Sequence, residues 1–431
     1  MRGCWLPAIL WILWLPARAG GLPEPLTLEV ALRYADAAHP DLVLASAARG
    51  RAEAETWEAR SLTGFRSRLR LEARYIEPSA YAFDQSHDDS FARLEFSKRL
   101  YDFGRSRALL AAARAAGEGS EFGYLNARLE RRLEIMARFL DVLLDDLDFR
   151  VKDEAMAMAY VRLDEARNRH ELGQMSDVDL LKLETAYQEA RGRRYAAASR
   201  QRASRVRLAE AMGLPDQVPR TLLPPDGDAH EWSLPELETL MAQVLEESPL
   251  LRALRAELER RAQALAAARA SGRPVVSAQV ELNRYRRTVG SRDPLIAGVV
   301  LDVPLSRGGK TQAEVAAAHA AYQEAQARLA LAERDLRQEV VDLWENVQVL
   351  QARRQEARTR LDYRDLYLDR SRALYEMEVE TDLGDAMTLS TEAVLEQARL
   401  EYQLMLDRAR LDALRGISRW APLDLEEDGV P

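Results

Sequence analysis

The sequence predicts a mainly α-helical protein with a small β part, and two observations support that fold class. Two long segments without proline, Phe103–Leu172 and Gly309–Val379, carry apolar residues at steps of three and four. That spacing places the apolar side chains on one face of a helix. Shorter segments before each of them alternate apolar with polar residues, which indicates amphipathic β-strands. Because this order occurs twice, we expect long antiparallel helical hairpins and four strands.

The composition is typical of a folded chain. Of the 431 residues, 47% are hydrophobic and 30% are charged, and the formal net charge is −9. A chain of this kind has enough apolar side chains to bury a large core. Its basic residues are interleaved with more numerous acidic ones, so we expect no nucleic-acid partner.

The first residues have the pattern of a secretory signal peptide, which we assign to residues 1–19. Arg2 supplies a positive charge, Trp5–Leu15 an apolar segment, and Ala17–Ala19 a cleavage site built from small residues. A membrane anchor is the alternative, but the apolar segment is short for a bilayer. The single cysteine, Cys4, lies inside the signal peptide, so we expect an exported chain without disulfides or a lipid-modified cysteine.

Each repeat begins with helices and continues into a β-hairpin. Amphipathic helices are predicted at Leu28–Leu42 and, in the equivalent place, at Leu240–Leu251. The alternating segments then predict hairpins at residues 65–101 and 275–305. We divide the chain into a first repeat, a proline-rich linker, a second repeat and an acidic C-terminal tail: residues 20–217, 218–235, 236–420 and 421–431.

A glycine marks the corner between each hairpin and the long helix that follows it. Gly104 and Gly309 occupy these corners, where the chain needs a residue of high conformational freedom. Around the second corner, Ser306–Thr311 is similar to the end of a phosphate-binding loop. That motif needs a glycine where this chain has Pro304, so we reject nucleotide binding.

The turns at the far ends of the long helices carry the same acidic pattern. Glu171 and Asp177 in the first turn are matched at the same spacing by Glu376 and Asp382 in the second. A side-chain oxygen of Thr381 or Asp382 can cap the helix that returns from the second turn, and Asp177 can do the same in the first. Asp385 lies one helical turn beyond Asp382, where capping explains it less well.

No residue pattern of an enzyme is present. The five histidines are scattered without the spacing of metal ligands, and the chain has no nucleophile elbow or dinucleotide-binding fingerprint. We therefore predict no catalytic residue, no metal site and no cofactor.

Strands with one apolar and one charged face are what a membrane β-barrel requires, since one face meets lipid and the other a polar interior. Four strands cannot close a barrel, and lipid does not tolerate an open sheet edge. Several chains would therefore have to pool their strands. The alternative is a soluble hairpin packed on helices, which alternation alone would favour.

The duplicated order of helix, hairpin, long helix and return helix resembles the TolC-like outer-membrane efflux protein family. The resemblance covers about Leu26–Trp420 and includes the corner at Leu100–Arg105 and the two acidic turns. It implies a homotrimer whose pooled strands close one transmembrane β-barrel above a long periplasmic α-barrel. It also implies a location in the cell outer membrane, in contact with its lipid. The implied partners are a periplasmic adaptor (membrane fusion) protein and an inner-membrane pump.

The resemblance further implies site residues. Members of the family carry an Asp-x-x-Asp pair at the narrow periplasmic entrance, which Asp382 and Asp385 match. Asp177 has the equivalent place in the first turn, where Leu180 replaces the second acid, and Gly384 departs from the larger apolar residue usual between the pair. The implied barrel lumen is rich in arginine, which suggests a weak preference for anions near the outer mouth. The lumen residues are Arg66, Arg68, Arg70, Arg74 and Arg93.

We therefore predict a passive outer-membrane channel, the exit duct of a tripartite efflux or type I secretion system for small molecules, metals or proteins. The alternatives are a periplasmic adaptor and a coiled-coil scaffold without a pore. An adaptor would show a glycine-rich lipoyl-like β domain and no duplicated pair of amphipathic hairpins, which argues against that reading.

Overall fold

The computed structural model describes residues 22–37, 39–225, 232–287, 292–377 and 383–418. The predicted signal peptide, the predicted acidic tail and Asp382 lie outside these residues. The predicted fold class is confirmed, since long helices dominate and four strands form one sheet. In chain order the elements are α1 (Leu28–Arg33), α2 (Pro40–Ser61), β1 (Phe65–Glu72), β2 (Phe91–Tyr101), α3 (Arg105–Glu171), α4 (Asp177–Ala211), α5 (Leu237–Glu247), α6 (Pro249–Arg269), β3 (Val275–Tyr285), β4 (Leu295–Asp302), α7 (Lys310–Glu376) and α8 (Leu383–Leu414).

The helices predicted at the start of each repeat are interrupted by proline. The predicted helix Leu28–Leu42 is in fact α1, a short 3-10 turn and the start of α2 at Pro40. Likewise α5 ends before Ser248, and α6 begins at Pro249. Proline has no backbone N–H to give to a preceding turn, but it suits the first position of a new helix. Both prolines therefore start helices.

The long helices α3 and α7 are each 67 residues. At 1.5 Å per residue, each is a rod of about 100 Å. Each returns through a shorter antiparallel helix, α4 after α3 and α8 after α7, so the predicted helical hairpins are present. Among the described helices, none has an apolar stretch of the length and purity that crossing a membrane requires.

The two hairpins pair through β2 and β3 into one antiparallel sheet with the order β1-β2-β3-β4. Residues directly opposite each other in such a sheet point to the same face. Leu69, Leu94, Leu282 and Leu295 stand opposite one another across all four strands, so one face is apolar. The other face carries the arginines of β1, and strands β1 and β4 are left as open edges.

The buried core lies near the middle of the long helices in two clusters. The first joins α1, α3, α4 and α8, and the second joins α5, α6, α7 and α8. Helix α8 therefore belongs to both clusters and ties the two repeats together. The chain before α1 is also fixed, because the backbone of Leu26 is hydrogen-bonded to Thr221 and Leu223 of the linker.

Candidate functional site

The first hairpin tip lies between α3 and α4. Ser176 is the N-cap of α4, and its hydroxyl accepts a hydrogen bond from the backbone N–H of Asp179 at 3.2 Å. The expectation that Asp177 caps this helix is therefore wrong, because Asp177 is already its first helical residue. Its carboxylate instead lies 2.6 Å from Nε2 of His170, near the end of α3. This contact joins the two arms of the tip across the turn.

The second tip precedes α8, and Asp385 lies in the first turn of that helix. The Asp385 carboxylate forms a close ion pair with the guanidinium of Arg162 on α3, and both side chains are about half exposed. Asp385 therefore has an ionic partner from the first repeat. Helix capping, the structural role considered from the sequence, did not predict this partner. Asp382, the other half of the predicted acidic pair, falls outside the described residues.

Gly384 occupies a point of close approach between α8 and α3. A Cβ atom on this glycine would overlap the sulfur of Met158. One turn before Met158 on α3, Glu154 accepts a hydrogen bond from the Thr391 hydroxyl at 2.7 Å. Glu154, Met158 and Arg162 are spaced by one turn each, so a single face of α3 contacts the start of α8. The glycine that departs from the family pattern thus makes room for this contact.

Both predicted corner glycines adopt backbone angles that other residues avoid. Gly104 has φ +93° and Gly309 has φ +84°, each at the N-cap of a long helix. The first corner is held by the buried carboxylate of Asp102, which accepts from the backbone N–H of Ser106 at 2.9 Å. At the second corner, the guanidinium of Arg307 has this stabilising role.

The second corner is held by a denser set of contacts. The guanidinium of Arg307 donates to the backbone oxygen of Ser271 at 3.1 Å and to the carboxylate of Glu314 at 3.3 Å. The Ser271 hydroxyl donates to the same carboxylate at 2.7 Å, and these donors lower the pKa of Glu314. Two different polar networks therefore hold the same strand-to-helix geometry.

The polar face of the sheet carries the predicted lumen arginines. Arg66, Arg68 and Arg70 lie on this face of β1, Arg93 stands opposite Arg70 on β2, and Arg74 follows the end of β1. Within the described residues, Arg66 and Arg68 form no side-chain hydrogen bond or ion pair. The other three are engaged.

Acidic side chains on the same face balance much of this positive charge. Arg70 pairs with Glu72 at 2.9 Å, and Arg93 lies 3.7 Å from Glu281 while donating to Asn283 at 2.9 Å. Arg74 also contacts Glu72. The sequence analysis identified the arginines but not these acidic partners. The polar face of the sheet therefore carries both charges, rather than the mainly positive charge that was expected.

Sequence reasoning missed several buried acids, and among the described residues Asp407 is the most deeply buried of them. Asp407 on α8 is fully buried and accepts hydrogen bonds from Asn346 at 2.5 Å and Gln403 at 2.9 Å. Arg410 contacts it at 3.2 Å. Burial raises the pKa of the Asp407 carboxyl despite these contacts. A signal was available, because Asp407 falls on the apolar stripe of Leu400, Leu404 and Leu411. No group of three or more potential metal-binding side chains occurs among the described residues.

Comparisons with known proteins agree with this architecture. Residues 240–416 match the family described as outer membrane efflux protein. No curated protein matches the chain by sequence. The structure is similar to the outer membrane protein VceC from Vibrio cholerae, with 18% identity, a TM-score of 0.70, and 90% of this chain and 95% of that chain covered.

Two further solved structures have the same fold. The Campylobacter jejuni CmeC outer membrane channel has 14% identity and a TM-score of 0.74, covering 90% of this chain and 85% of that one. The open state of the Neisseria gonorrhoeae MtrE outer membrane channel has 16% identity and a TM-score of 0.65, covering 90% and 88%.

Proposed function

We propose that this chain is a member of the outer membrane efflux protein family and that three copies of it form a passive exit duct. The family matches over residues 240–416, and the fold extends the likeness to the rest of the described chain. It is a family of channels rather than of enzymes. Its members lie in the outer membrane with a large helical part in the periplasm, and we propose the same location for this chain.

The single observation that carries the proposal is the exposed apolar face of the sheet. Leu71, Val299 and Leu301 are among its residues, and they are 71%, 68% and 62% exposed in one chain. None of the described helices packs against this face. An exposed apolar face of this size is unfavourable for a sheet surrounded by water. Lipid would cover it in a β-barrel, and the opposite, charged face would then line the lumen.

The open edges of the sheet support the trimer. Among the residues that the structure describes, strands β1 and β4 each have one side without a hydrogen-bonded neighbour. Lipid cannot satisfy those backbone groups, so β4 of one chain would pair with β1 of the next until the barrel closes. Three chains supply twelve strands, as the family resemblance implies.

At the periplasmic end, the second tips of three chains would surround the axis and form the entrance. We place Asp382, Asp385 and, in the first tip, Asp177 at this entrance. The pairing of Asp385 with Arg162 reduces the negative charge that it presents. Asp382 would therefore contribute most of the attraction for cations.

The proposed partners are a periplasmic adaptor and an inner-membrane pump that supplies the energy. The cargo would be small molecules, metals or secreted proteins. The alternatives are that the chain is itself an adaptor or a coiled-coil scaffold. Neither would need a sheet with a large unpartnered apolar face and two open edges.

Two substitutions on adjacent residues of β3 test the proposal. Val280 faces the apolar side and Gln279 the polar side. Arginine on the lipid face near the middle of a bilayer costs about 2–4 kcal/mol per site. We expect Val280→Arg to prevent membrane insertion and Gln279→Arg to leave a conducting trimer, measured by membrane fractionation, mass determination and bilayer recording. Equal insertion of both variants, or a stable inserted monomer, would contradict the proposal.

A further inference from the structure

The apolar face of the sheet ends in basic residues at the end remote from the helices. Arg284 on β3 stands opposite Ala92 on β2, which in turn stands opposite Leu71 on β1. Arg284 therefore lies on the apolar face, where the alternating pattern of the strand otherwise places apolar residues. Arg286 follows two residues later on the same side, beside Ser90, whose carbonyl accepts from the Arg286 backbone N–H at 3.0 Å.

These two arginines border an open cleft of about 730 Å³. Its lining includes three small residues, Ala73, Ser90 and Ala92, which leave room between the larger neighbours. Leu71, Ala92 and Arg284 in its lining belong to the apolar face, whereas Glu72, Phe91 and Tyr285 belong to the polar face. The cleft therefore lies at the end of the sheet and is bordered by residues of both faces.

Two arginines and one acid, Glu72, line the cleft, and the Glu72 carboxylate is already paired with Arg70 and Arg74. Within the described residues, the Arg284 side chain forms no hydrogen bond or ion pair. Arg286 lies 3.9 Å from the carboxylate of Asp88, with 78% of its own side chain exposed. Neighbouring arginines are committed elsewhere, since Arg287 donates to the backbone oxygen of Asp84 and Arg292 pairs with Asp89 at 2.7 Å. Arg284 therefore remains available to an outside anion, and Arg286 would join it by giving up its long contact with Asp88.

A second cation lies at the other end of the same face. Lys98 stands between Phe65 and Ala278, and Arg284 lies six positions after Ala278 on β3. At about 3.3 Å per residue, the two cations are ~20 Å apart along the strand. That distance is close to the height of about 25 Å of the apolar band in outer-membrane barrels. Long basic side chains at the two ends of such a band extend toward lipid headgroups.

We propose that the cleft beside Arg284 and Arg286 binds a phosphate group of the phosphorylated glycolipid in the outer leaflet. The inference rests on the proposed function, because it requires this face to meet lipid. Guanidinium groups bind phosphate through paired, charge-assisted hydrogen bonds, and the small residues leave space for the sugar that carries the phosphate. The loops place this end of the sheet at the outer surface, where such a lipid presents its phosphates.

The experiment uses the full-length trimer in detergent, titrated with bis-phosphorylated lipid A. The test variant is Arg284→Gln/Arg286→Gln. The matched control is Arg66→Gln/Arg68→Gln, which removes the same charge from the opposite face of the same sheet. Dephosphorylated lipid A and inorganic phosphate serve as ligand controls.

We expect the test variant to bind bis-phosphorylated lipid A at least about tenfold more weakly, because two charged hydrogen-bond donors are lost. The control variant should bind as the wild type does, and dephosphorylated lipid A should bind wild type and test variant equally. Inorganic phosphate should not displace the lipid at millimolar concentration, since it lacks the acyl chains that anchor the ligand.

Two failures can be told apart. If the wild-type trimer conducts and inserts but the test variant retains lipid A as the wild type does, this inference is wrong and the proposed function stands. If inorganic phosphate alone displaces the lipid, the inference is also wrong, because the cleft would then be a site for free anions and not for the glycolipid. If the wild type does not insert at all, the proposed function fails, and the lipid site fails with it.

Discussion

Helices α3 and α7 have the same length and begin at equivalent glycines, but their burial differs greatly. Seventeen residues of α3 are buried and eight of α7. Helix α3 packs against α1, α2, α4, α6 and α8, whereas α7 packs against α5, α6 and α8. One repeat therefore supplies the central helix of the chain and the other a peripheral one. The exposed apolar side chains of α7, such as Leu366 at 71%, are available to a neighbouring chain.

The largest expected effect separates the two helices directly. Phe139 on α3 is fully buried, whereas Tyr363 on α7 is 58% exposed. We expect Phe139→Ala to lower the free energy of unfolding by about 3–5 kcal/mol, because it leaves a cavity. Tyr363→Ala should change it within about 0.5 kcal/mol in the monomer. Denaturant unfolding measures both changes. Equal losses of unfolding free energy would mean that α3 and α7 contribute equally to the buried core.

A somewhat smaller effect concerns the contact of α3 with the second tip. Gly384→Ala adds a methyl group where the Met158 sulfur lies, so we expect a loss of about 1–3 kcal/mol. Met158→Ala in the same chain should restore most of that stability. Gly117→Ala is the matched control, because nothing lies within 4 Å of its Cβ position and alanine favours a helix. A loss that Met158→Ala does not relieve would contradict the steric explanation.

The next effect concerns the α7–α8 pair and depends on pH. Because burial raises the pKa of Asp407, the folded state binds its proton more tightly than the unfolded state. Stability should therefore fall as pH rises from the ordinary aspartate pKa of 3.8 through the raised value. Asp407→Asn should lack this decline in a series of thermal unfolding measurements. Asp335→Asn, at an exposed position on α7, should keep it; if Asp407→Asn declines as the wild type does, burial of the charge is not the cause.

The smallest stability effect is expected at the ion pair between α3 and α8. Arg162 and Asp385 are half exposed, so breaking the pair should cost about 0.2–1 kcal/mol. The effect of breaking this pair on cation block at the entrance should be larger than its effect on stability. Arg162→Gln releases the Asp385 carboxylate, so block of single-channel current by a trivalent cation should become stronger.

The same recordings test the acidic pair itself. Asp382→Asn/Asp385→Asn should largely abolish the block and reduce cation selectivity while the trimer still assembles. If block is unchanged in both variants, these aspartates have a structural role and the constriction lies elsewhere.

Periodicity alone was enough to predict the long helices and the faces of the strands. Those features depend on spacings of two and three to four residues, which the chain carries locally. The corner glycines were also visible, because a left-handed φ disfavours other residues. The expectation for Asp177 was wrong because Ser176, one residue earlier, offers an equally good cap, and local pattern does not choose between neighbours.

By itself the sequence determined the element types, their duplicated order and the apolar face of the sheet. Only the tertiary structure decided that α3 is central, that Asp385 meets Arg162, and that Gly384 accommodates Met158. These contacts join the first repeat to the second. Because the two repeats have equivalent sequence patterns, no local pattern shows which of their long helices will be covered by the other repeat. Such contacts depend on how the repeats pack together, and that is settled by the fit of whole surfaces rather than by the spacing of residues along one helix.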